Sequence, residues 1–230
     1  MAKIVVLTGA GVSAESGLRT FRDHDGLWEG HAVEEVATPE AFMRQPEIVH
    51  RFYNQRRQDV KAACPNEAHL ALARLENALG EDLLLVTQNV DDLHERAGGR
   101  RVWHMHGQLG RLRCVFCDYM GPCPGELTSR SSCCQCGEAG GLRPDIVWFG
   151  EVPYYLDEIA HHLAQCELFV AIGTSGAVYP AGNFVNLASY EGARTLELNL
   201  ARSENSARFS EVRLGPATQV VSAWVAELLG

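Results

Sequence analysis

Apolar and polar positions alternate in blocks along the chain. Residues 3–8, Lys-Ile-Val-Val-Leu-Thr, form a short apolar run that reads as a buried strand. Runs of the same kind recur at 82–87, 145–149, 167–172 and 195–198, with shorter ones at 101–105 and 219–221. Between them lie helical patterns: a long stretch over 39–63, a second over 66–79 capped by Asn66 with Leu70, Leu72, Leu75 and Leu79 apolar, and a final helix after 221. Near-continuous apolar strands separated by helices predict an α/β fold with a doubly wound parallel, Rossmann-like sheet. Two stretches break the alternation, a helical one at 32–68 and a cysteine-rich one at 111–141. They are predicted to be insertions forming a smaller lobe. The Rossmann-like domain is then assembled from 1–31, 69–110 and 142–230.

The first strand runs into Gly9-Ala10-Gly11-Val12-Ser13-Ala14-Glu15-Ser16-Gly17. A strand, a glycine turn and a helix start are the parts that seat a pyrophosphate, because the backbone approaches closely and free N–H groups face the anion. Gly9, Gly11 and Ala14 satisfy the dinucleotide fingerprint, while Ser13, Ser16 and the continuation Thr20-Phe21-Arg22 exceed what a redox enzyme needs. An ordinary glycine-rich strand-to-helix turn is the alternative.

Polar residues collect where the strands end: Gly9 to Ser13, Gln88 to Asp91, His106, Gly173 to Ser175, and Asn199. Ligands of such sheets bind outside the carboxyl ends of the strands. Five polar clusters there point to one composite site.

Of eight cysteines, six lie between 114 and 136, five of them as Cys114-x-x-Cys117 and, fifteen residues later, Cys133-Cys134-Gln135-Cys136. This is zinc-ribbon spacing. Four thiolates close the tetrahedron, so the metal is structural. Cys133 pairs best with Cys136 and Cys134 is a thiol able to substitute. Disulfides are the alternative, but nothing points to an oxidising compartment. Composition narrows the class further. A 46% hydrophobic and 21% charged chain of 230 residues is that of a globular protein. A net charge of −9 argues against a chain-wide nucleic-acid surface. No apolar run approaches the ~18 residues of a membrane span, and Lys3 is followed by too few apolar residues for a signal peptide. A cytoplasmic location, with neither membrane nor direct nucleic-acid binding, is expected.

These motifs, with Thr87-Gln88-Asn89-Val90-Asp91, His104-Met105-His106-Gly107, Leu142-Arg143-Pro144, Val147-Trp148-Phe149-Gly150-Glu151 and Leu198-Asn199, make the chain resemble the sirtuins, a family of NAD-dependent protein lysine deacylases. Within it the chain is most similar to a bacterial, CobB-like branch that includes sirtuin-5-like desuccinylases. The resemblance implies that NAD is consumed: the acyl oxygen of a modified lysine attacks the anomeric carbon, nicotinamide leaves, and the acyl group ends on ADP-ribose. It implies His106 as general base, Asn89 and Asp91 as holders of ribose and nicotinamide, and Gln88 as support for the ribose. Gly9, Ala10, Gly11, Ser13, Ser16, Gly17, Arg22, Gly173, Thr174, Ser175 and Asn199 would contact the rest of the cofactor, with Phe21 over the nicotinamide face. His104 competes for the role of base and is ranked as a supporting residue. The acyl-lysine peptide, acetylated or succinylated, is expected to lie between Phe149-Gly150-Glu151 and Gly176-Ala177-Val178 as an added strand, with Val147 and Trp148 lining its tunnel. Two rival functions are a mono-ADP-ribosyltransferase on the same scaffold and a non-catalytic acyl-lysine or zinc-ribbon binding module.

One helix speaks to the substrate. At 100° per residue Val49, Tyr53, Arg56 and Val60 share a stripe, with Phe52 at its edge. Arg56 therefore sits mid-face among apolar residues, where a charge is costly without a partner. Either it pairs with a nearby acid, or it meets a carboxylate brought by the substrate; the desuccinylase branch has a Tyr-x-x-Arg pair that Tyr53 and Arg56 match. The small Ala14 would leave room for a longer acyl chain. Arg57 is expected on the solvated flank.

Overall fold

Among the described residues six strands pair in parallel in one sheet. The computed structural model describes residues 2–19 and 31–230. In chain order the elements are β1 (Ile4–Thr8), α1 (Val33–Val36), α2 (Pro39–Arg44), α3 (Pro46–Ala62), α4 (Glu67–Leu79), β2 (Leu83–Thr87), α5 (Leu93–Arg96), β3 (Val102–His104) and β4 (Gly107–Cys114). They continue with β5 (Met120–Pro122), β6 (Leu142–Ile146), α6 (Leu156–Leu163), β7 (Leu168–Ile172), α7 (Phe184–Tyr190), β8 (Arg194–Asn199), β9 (Glu211–Leu214) and α8 (Ala217–Leu229).

The alternation of each strand divides the core into two layers. Val6, Leu83, Leu85, Val170 and Ile172 face one side and pack on Leu72 and Leu75 of α4 and Trp224 and Val225 of α8. Val5, Leu7, Leu84, Val86 and Phe169 face the other and pack on Ile159 and Leu163 of α6 and Phe184 and Val185 of α7. Helices on both faces make the doubly wound fold expected from the apolar runs. The chain leaves β1 toward β2 on one side, and β7 lies on the other. The carboxyl ends of β1 and β7 therefore flank the switch point of the sheet, where such folds bind ligands.

The smaller lobe has two parts. Helices α1 to α3 enclose a third apolar cluster with Leu109, Ile146 and Trp148. A three-stranded antiparallel sheet, β5-β4-β6, carries the cysteine pairs. Asn54 ties the parts together, its amide nitrogen donating to the carbonyl of Leu127 at 2.9 Å and its oxygen accepting from Leu127 N–H at 3.0 Å.

Local signals explain the helix starts. The Asn66 side chain accepts from Ala68 N–H at 3.0 Å, and Thr38 accepts from Ala41 N–H at 3.1 Å with Pro39 following. Pro46 starts α3 afresh, so the helical stretch expected over 39–63 consists of α2 and α3. Three further expectations are corrected. The 145–149 run does not join the parallel sheet: β6 begins earlier, at Leu142, and pairs antiparallel with β4. The sheet of the small lobe thus reaches beyond the 111–141 limits, back to Gly107 and forward to Ile146. Residues 219–221 lie within α8, and the last strand is β9, paired in parallel with β8.

Candidate active site

Two glycine turns meet at the switch point. Gly9 N–H donates to the carbonyl of Ile172 and Gly11 N–H to that of Gly173, both at 2.9 Å. The backbones are so close that a Cβ on Gly11 would stand 2.7 Å from Gly173 Cα, and one on Gly173 would stand 2.5 Å from Val12 N. Glycine is required here first by the contact between two protein segments. The N–H groups of Gly9 and Gly11 are thus engaged within the protein. The run itself forms two successive 3₁₀ turns, Ala10–Val12 and Ala14–Ser16, ended by Gly17 at φ +87°. Glu15 fastens the second turn to α8, accepting from Thr218 N–H at 2.9 Å and from its hydroxyl at 2.8 Å.

Around this junction opens a cleft of about 1160 Å³ between the large sheet and the small lobe. Gly9, Ala10, Gly11, Ser13, Ser16, Gly17, Gln88, Asn89, Asp91, Gly173, Thr174, Ser175 and Asn199 all line it, as do His106, Tyr53, Arg56, Ala14 and the segment 147–151. Phe21 and Arg22 lie outside the described residues.

The floor of the cleft is a buried polar network. Ser13 donates to Asp91 Oδ2 at 3.1 Å and accepts from Asn89 Nδ2 at 3.2 Å. His69 Nδ1 accepts the N–H of Asn66 at 3.2 Å, which leaves Nε2 protonated to face Ser13 Oγ at 3.4 Å. Asp91 Oδ1 accepts from Leu93 N–H at 3.1 Å. Below them His94 Nε2 meets Thr8 Oγ1 at 3.0 Å, and its ring stands 4.9 Å from that of His69. Burial raises the Asp91 carboxyl, against hydrogen bonds from Leu93 and Ser13. Burial also pushes His69 down to about 4 and His94 far below its usual value. Both imidazoles are therefore neutral, and their partners are fixed by tautomer. Neither histidine carried a signal in the sequence: His69 sits at the third position of α4 and looks like a capping residue, which it also is.

His106 occupies the turn between β3 and β4, half-buried at the cleft wall. Its Nδ1 lies 3.1 Å from the carbonyl of Gln88. A carbonyl only accepts, so Nδ1 carries the proton and Nε2 the lone pair. Burial lowers its pKa, partly offset by that hydrogen bond. The result is a neutral imidazole with a defined basic nitrogen, the state a general base needs. The turn is held by Val147 N–H to His106 O and Tyr154 N–H to Met105 O, each 2.9 Å. Gly107 follows at φ +81°, where a Cβ would fall 2.0 Å from the Asp145 carbonyl. His104 does not line the cleft: it is buried, with Nδ1 at 3.1 Å from the Asn89 carbonyl and Nε2 at 2.7 Å from Glu95. The strand ends at His104 and the chain turns before His106, so the two histidines do not share a strand face.

On the small-lobe side Tyr53 is buried and its hydroxyl accepts from Trp148 Nε1 at 2.8 Å. Arg56 lines the cleft and pairs with Asp59 at 2.6 Å. Arg57 is not on a solvated flank: it bonds Asn54 Oδ1 toward the cysteine lobe, its Nη1 is buried without a partner, and burial lowers its pKa. Glu151 is engaged by the protein itself. Its two oxygens accept from Arg143 Nη1 at 2.7 Å and Nη2 at 2.8 Å, and one also accepts from Trp148 N–H at 2.8 Å. The Arg143 guanidinium lies 3.5 Å from the centroid of the Trp148 ring. Phe149 and Gly150 form a turn with Gly150 at φ +89°, not the extended segment expected.

The cysteines gather away from the cleft. The sulfurs of Cys114, Cys117, Cys133 and Cys136 all lie within 4.8 Å of one another, and Cys134 is exposed and outside the group. Separations of 3.9 Å for Cys114–Cys136 and 3.6 Å for Cys117–Cys133 are far from a disulfide bond. They match the ~3.8 Å edge of a sulfur tetrahedron built with ~2.3 Å zinc–sulfur bonds. Backbone N–H groups of Phe116 and Gln135 point at Cys114 and Cys133, each at 3.4 Å. Hydrogen bonds from the backbone of Cys136 and Gln135 bring the Cys133 thiol down to about 7. A four-thiolate donor set of this shape fits one structural zinc ion.

A family model described as "Sir2 family" matches residues 9–180. The chain belongs to the Sir2 family. Sir2 relatives agree over nearly the full length: the chain is 54% identical over 230 residues to an "NAD-dependent protein deacylase" of Caulobacter vibrioides, covering 99% of this chain and 97% of the relative. A solved "Sir2 homolog-NAD complex" superposes with a TM-score of 0.89 at 38% identity, covering 98% of this chain and 89% of that one. A structure of "Sir2 bound to acetylated peptide" gives 0.83 at 27% identity, covering 97% and 92%.

Proposed function

We propose that this Sir2 chain is an NAD-dependent protein lysine deacylase that transfers an acyl group from lysine to ADP-ribose. Acyl-lysine, NAD and water give lysine, nicotinamide and O-acyl-ADP-ribose. The observation that carries the reading is the joining, at one switch-point cleft, of the Gly9–Ser13 and Gly173–Ser175 turns, the Ser13–Asn89–Asp91 network and a neutral His106. NAD supplies an anomeric carbon from which nicotinamide departs. Asn89 and Asp91, held rigid by Ser13, orient the ribose and amide. Gln88 supports the ribose beside His106, whose Nε2 takes the proton of a ribose hydroxyl as that oxygen attacks the acyl carbon. The glycine turns, Ser16, Gly17, Thr174, Ser175, Asn199 and Arg22 receive the adenosine and phosphate half, and Phe21 covers the nicotinamide face.

The peptide lies between Phe149-Gly150-Glu151 and Gly176-Ala177-Val178, with Val147 and Trp148 in the wall of the acyl tunnel. Glu151 serves as the brace of that wall. We further propose that the acyl range includes dicarboxyl groups such as succinyl, because Arg56 and Tyr53 line the same cleft as His106. Guanidinium and carboxylate form a strong charge-assisted pair. A cytoplasmic setting fits four reduced thiolates around zinc. Mass spectrometry of products from matched acetyl-, succinyl- and glutaryl-lysine peptides tests the reading. O-acyl-ADP-ribose supports it, whereas ADP-ribosylated protein without deacylation would make the chain a mono-ADP-ribosyltransferase. Arg56→Met should collapse the succinyl-to-acetyl ratio roughly 10-fold or more, the worth of a charge-assisted contact.

A further inference from the structure

Arg56 shares the cleft wall with a carboxylate of its own chain. Asp59 lies one turn further along α3, its Oδ2 2.6 Å from Arg56 Nη2, and both residues line the cleft. The arginine side chain is only 13% exposed and the aspartate 37%. The guanidinium also sits 5.5 Å from the Phe52 ring centroid, against the apolar stripe of α3.

We propose that Asp59 sets acyl selectivity by occupying one edge of the Arg56 guanidinium in place of a substrate carboxylate. The inference rests on the dicarboxyl reading of Arg56. A guanidinium offers five N–H donors in a planar fork, and an acid at Nη2 uses one edge of it. A succinyl or glutaryl carboxylate that reaches Arg56 then meets a partner already neutralised and a like charge beside it. Acetyl-lysine brings no carboxylate and feels neither effect. Asp59 therefore shifts the enzyme toward neutral acyl groups without touching the reacting atoms. Because the aspartate is more than a third exposed, the repulsion is partly screened, and the effect must depend on salt.

The test uses the full chain with saturating NAD and peptides of one sequence bearing acetyl- or succinyl-lysine. Asp59→Asn keeps the shape and removes the charge; Asp59→Ala repeats the test without the amide. The succinyl-to-acetyl ratio of kcat/KM should rise roughly 3- to 10-fold, carried by a lower KM for the succinyl peptide, and the rise should shrink in 1 M salt. In an Arg56→Met background the same substitutions should give no rise. A ratio that stays level or falls in Asp59→Asn and Asp59→Ala, while Arg56→Met collapses it, overturns the role of Asp59 and leaves the dicarboxyl reading standing. A ratio that Arg56→Met does not change removes both.

Discussion

Removing the Glu151 carboxylate isolates a charge in the interior of the small lobe. Arg143 is 5% exposed and is held by Glu151 through both oxygens, by the Ile146 carbonyl at 2.7 Å, and by the face of Trp148. In Glu151→Ala the guanidinium keeps the carbonyl and the ring and loses its counter-charge; Trp148 N–H loses its acceptor. Stranding one member of a buried pair costs about 3–5 kcal/mol. Glu151 is 24% exposed, so water reaches part of the gap and the lower end, about 3 kcal/mol, applies. The orphaned amide adds about 1 kcal/mol. Urea denaturation at pH 7.5 should therefore show a loss of about 3–4 kcal/mol. Arg143→Met with Glu151→Leu should recover at least half of it, because replacing both partners by apolar groups removes the stranded charge. The linkage has a sign. Burial alone would raise the Glu151 carboxyl, but hydrogen bonds from Arg143 and Trp148 N–H outweigh it and hold it below the usual carboxylate range. Its contribution is present above the ordinary value of about 4.5 and fades as the pH falls through the lower folded value. The difference between wild type and Glu151→Ala should shrink there. A loss under 1 kcal/mol with a large rise in peptide KM would refute this reasoning and return Glu151 to the peptide site.

Other outcomes follow from the site. His106→Ala should lower turnover by ~10²–10⁴-fold with the fold intact, and the acid limb of log kcat/KM against pH should lie below 6.5, because burial lowers this imidazole; His104→Ala proving the more damaging to kcat would reverse the assignment. Zinc should bind at one ion per chain, with loss in Cys133→Ser and retention in Cys134→Ser by elemental analysis, since only the former joins the four-sulfur group; chelation should unfold the small lobe first. His69 is pushed from 6.5 to about 4 by burial, so between those values the unfolded chain takes a proton that the native state refuses. Stability should fall by about 1.4 kcal/mol per pH unit on acidification through that window, and His69→Asn should flatten the slope measured by denaturation.

The central sheet was legible because its strands carry their own signal: β1, β2 and β7 are apolar runs buried on both faces. β6 was not, since Leu-Arg-Pro-Asp-Ile looks like a loop; its five buried positions depend on Arg143 finding Glu151 and on Tyr154 donating to Asp145 at 2.6 Å. Residues 219–221 read as a strand by their β-branched character, and packing of Val221 and Trp224 against α4 made them helix. β9, an edge strand with no fully buried residue, offered no apolar run at all. In the site, residues at strand ends were placed by the strands themselves, so Gly9, Asn89, His106, Gly173 and Asn199 line one cleft. His69 was hidden because its partner Ser13 lies far away in sequence, and Arg143 because its ion pair with Glu151 forms only when the chain turns back after β6. Arg57 was misjudged because helical phase says nothing about the cysteine lobe that covers that flank.

The most direct measurement follows nicotinamide and free lysine together while a succinyl- or acetyl-lysine peptide is turned over with and without NAD. The account predicts one nicotinamide and one O-acyl-ADP-ribose for each lysine released, and no release without NAD. Lysine release that persists in the absence of NAD, or outruns nicotinamide, would contradict it.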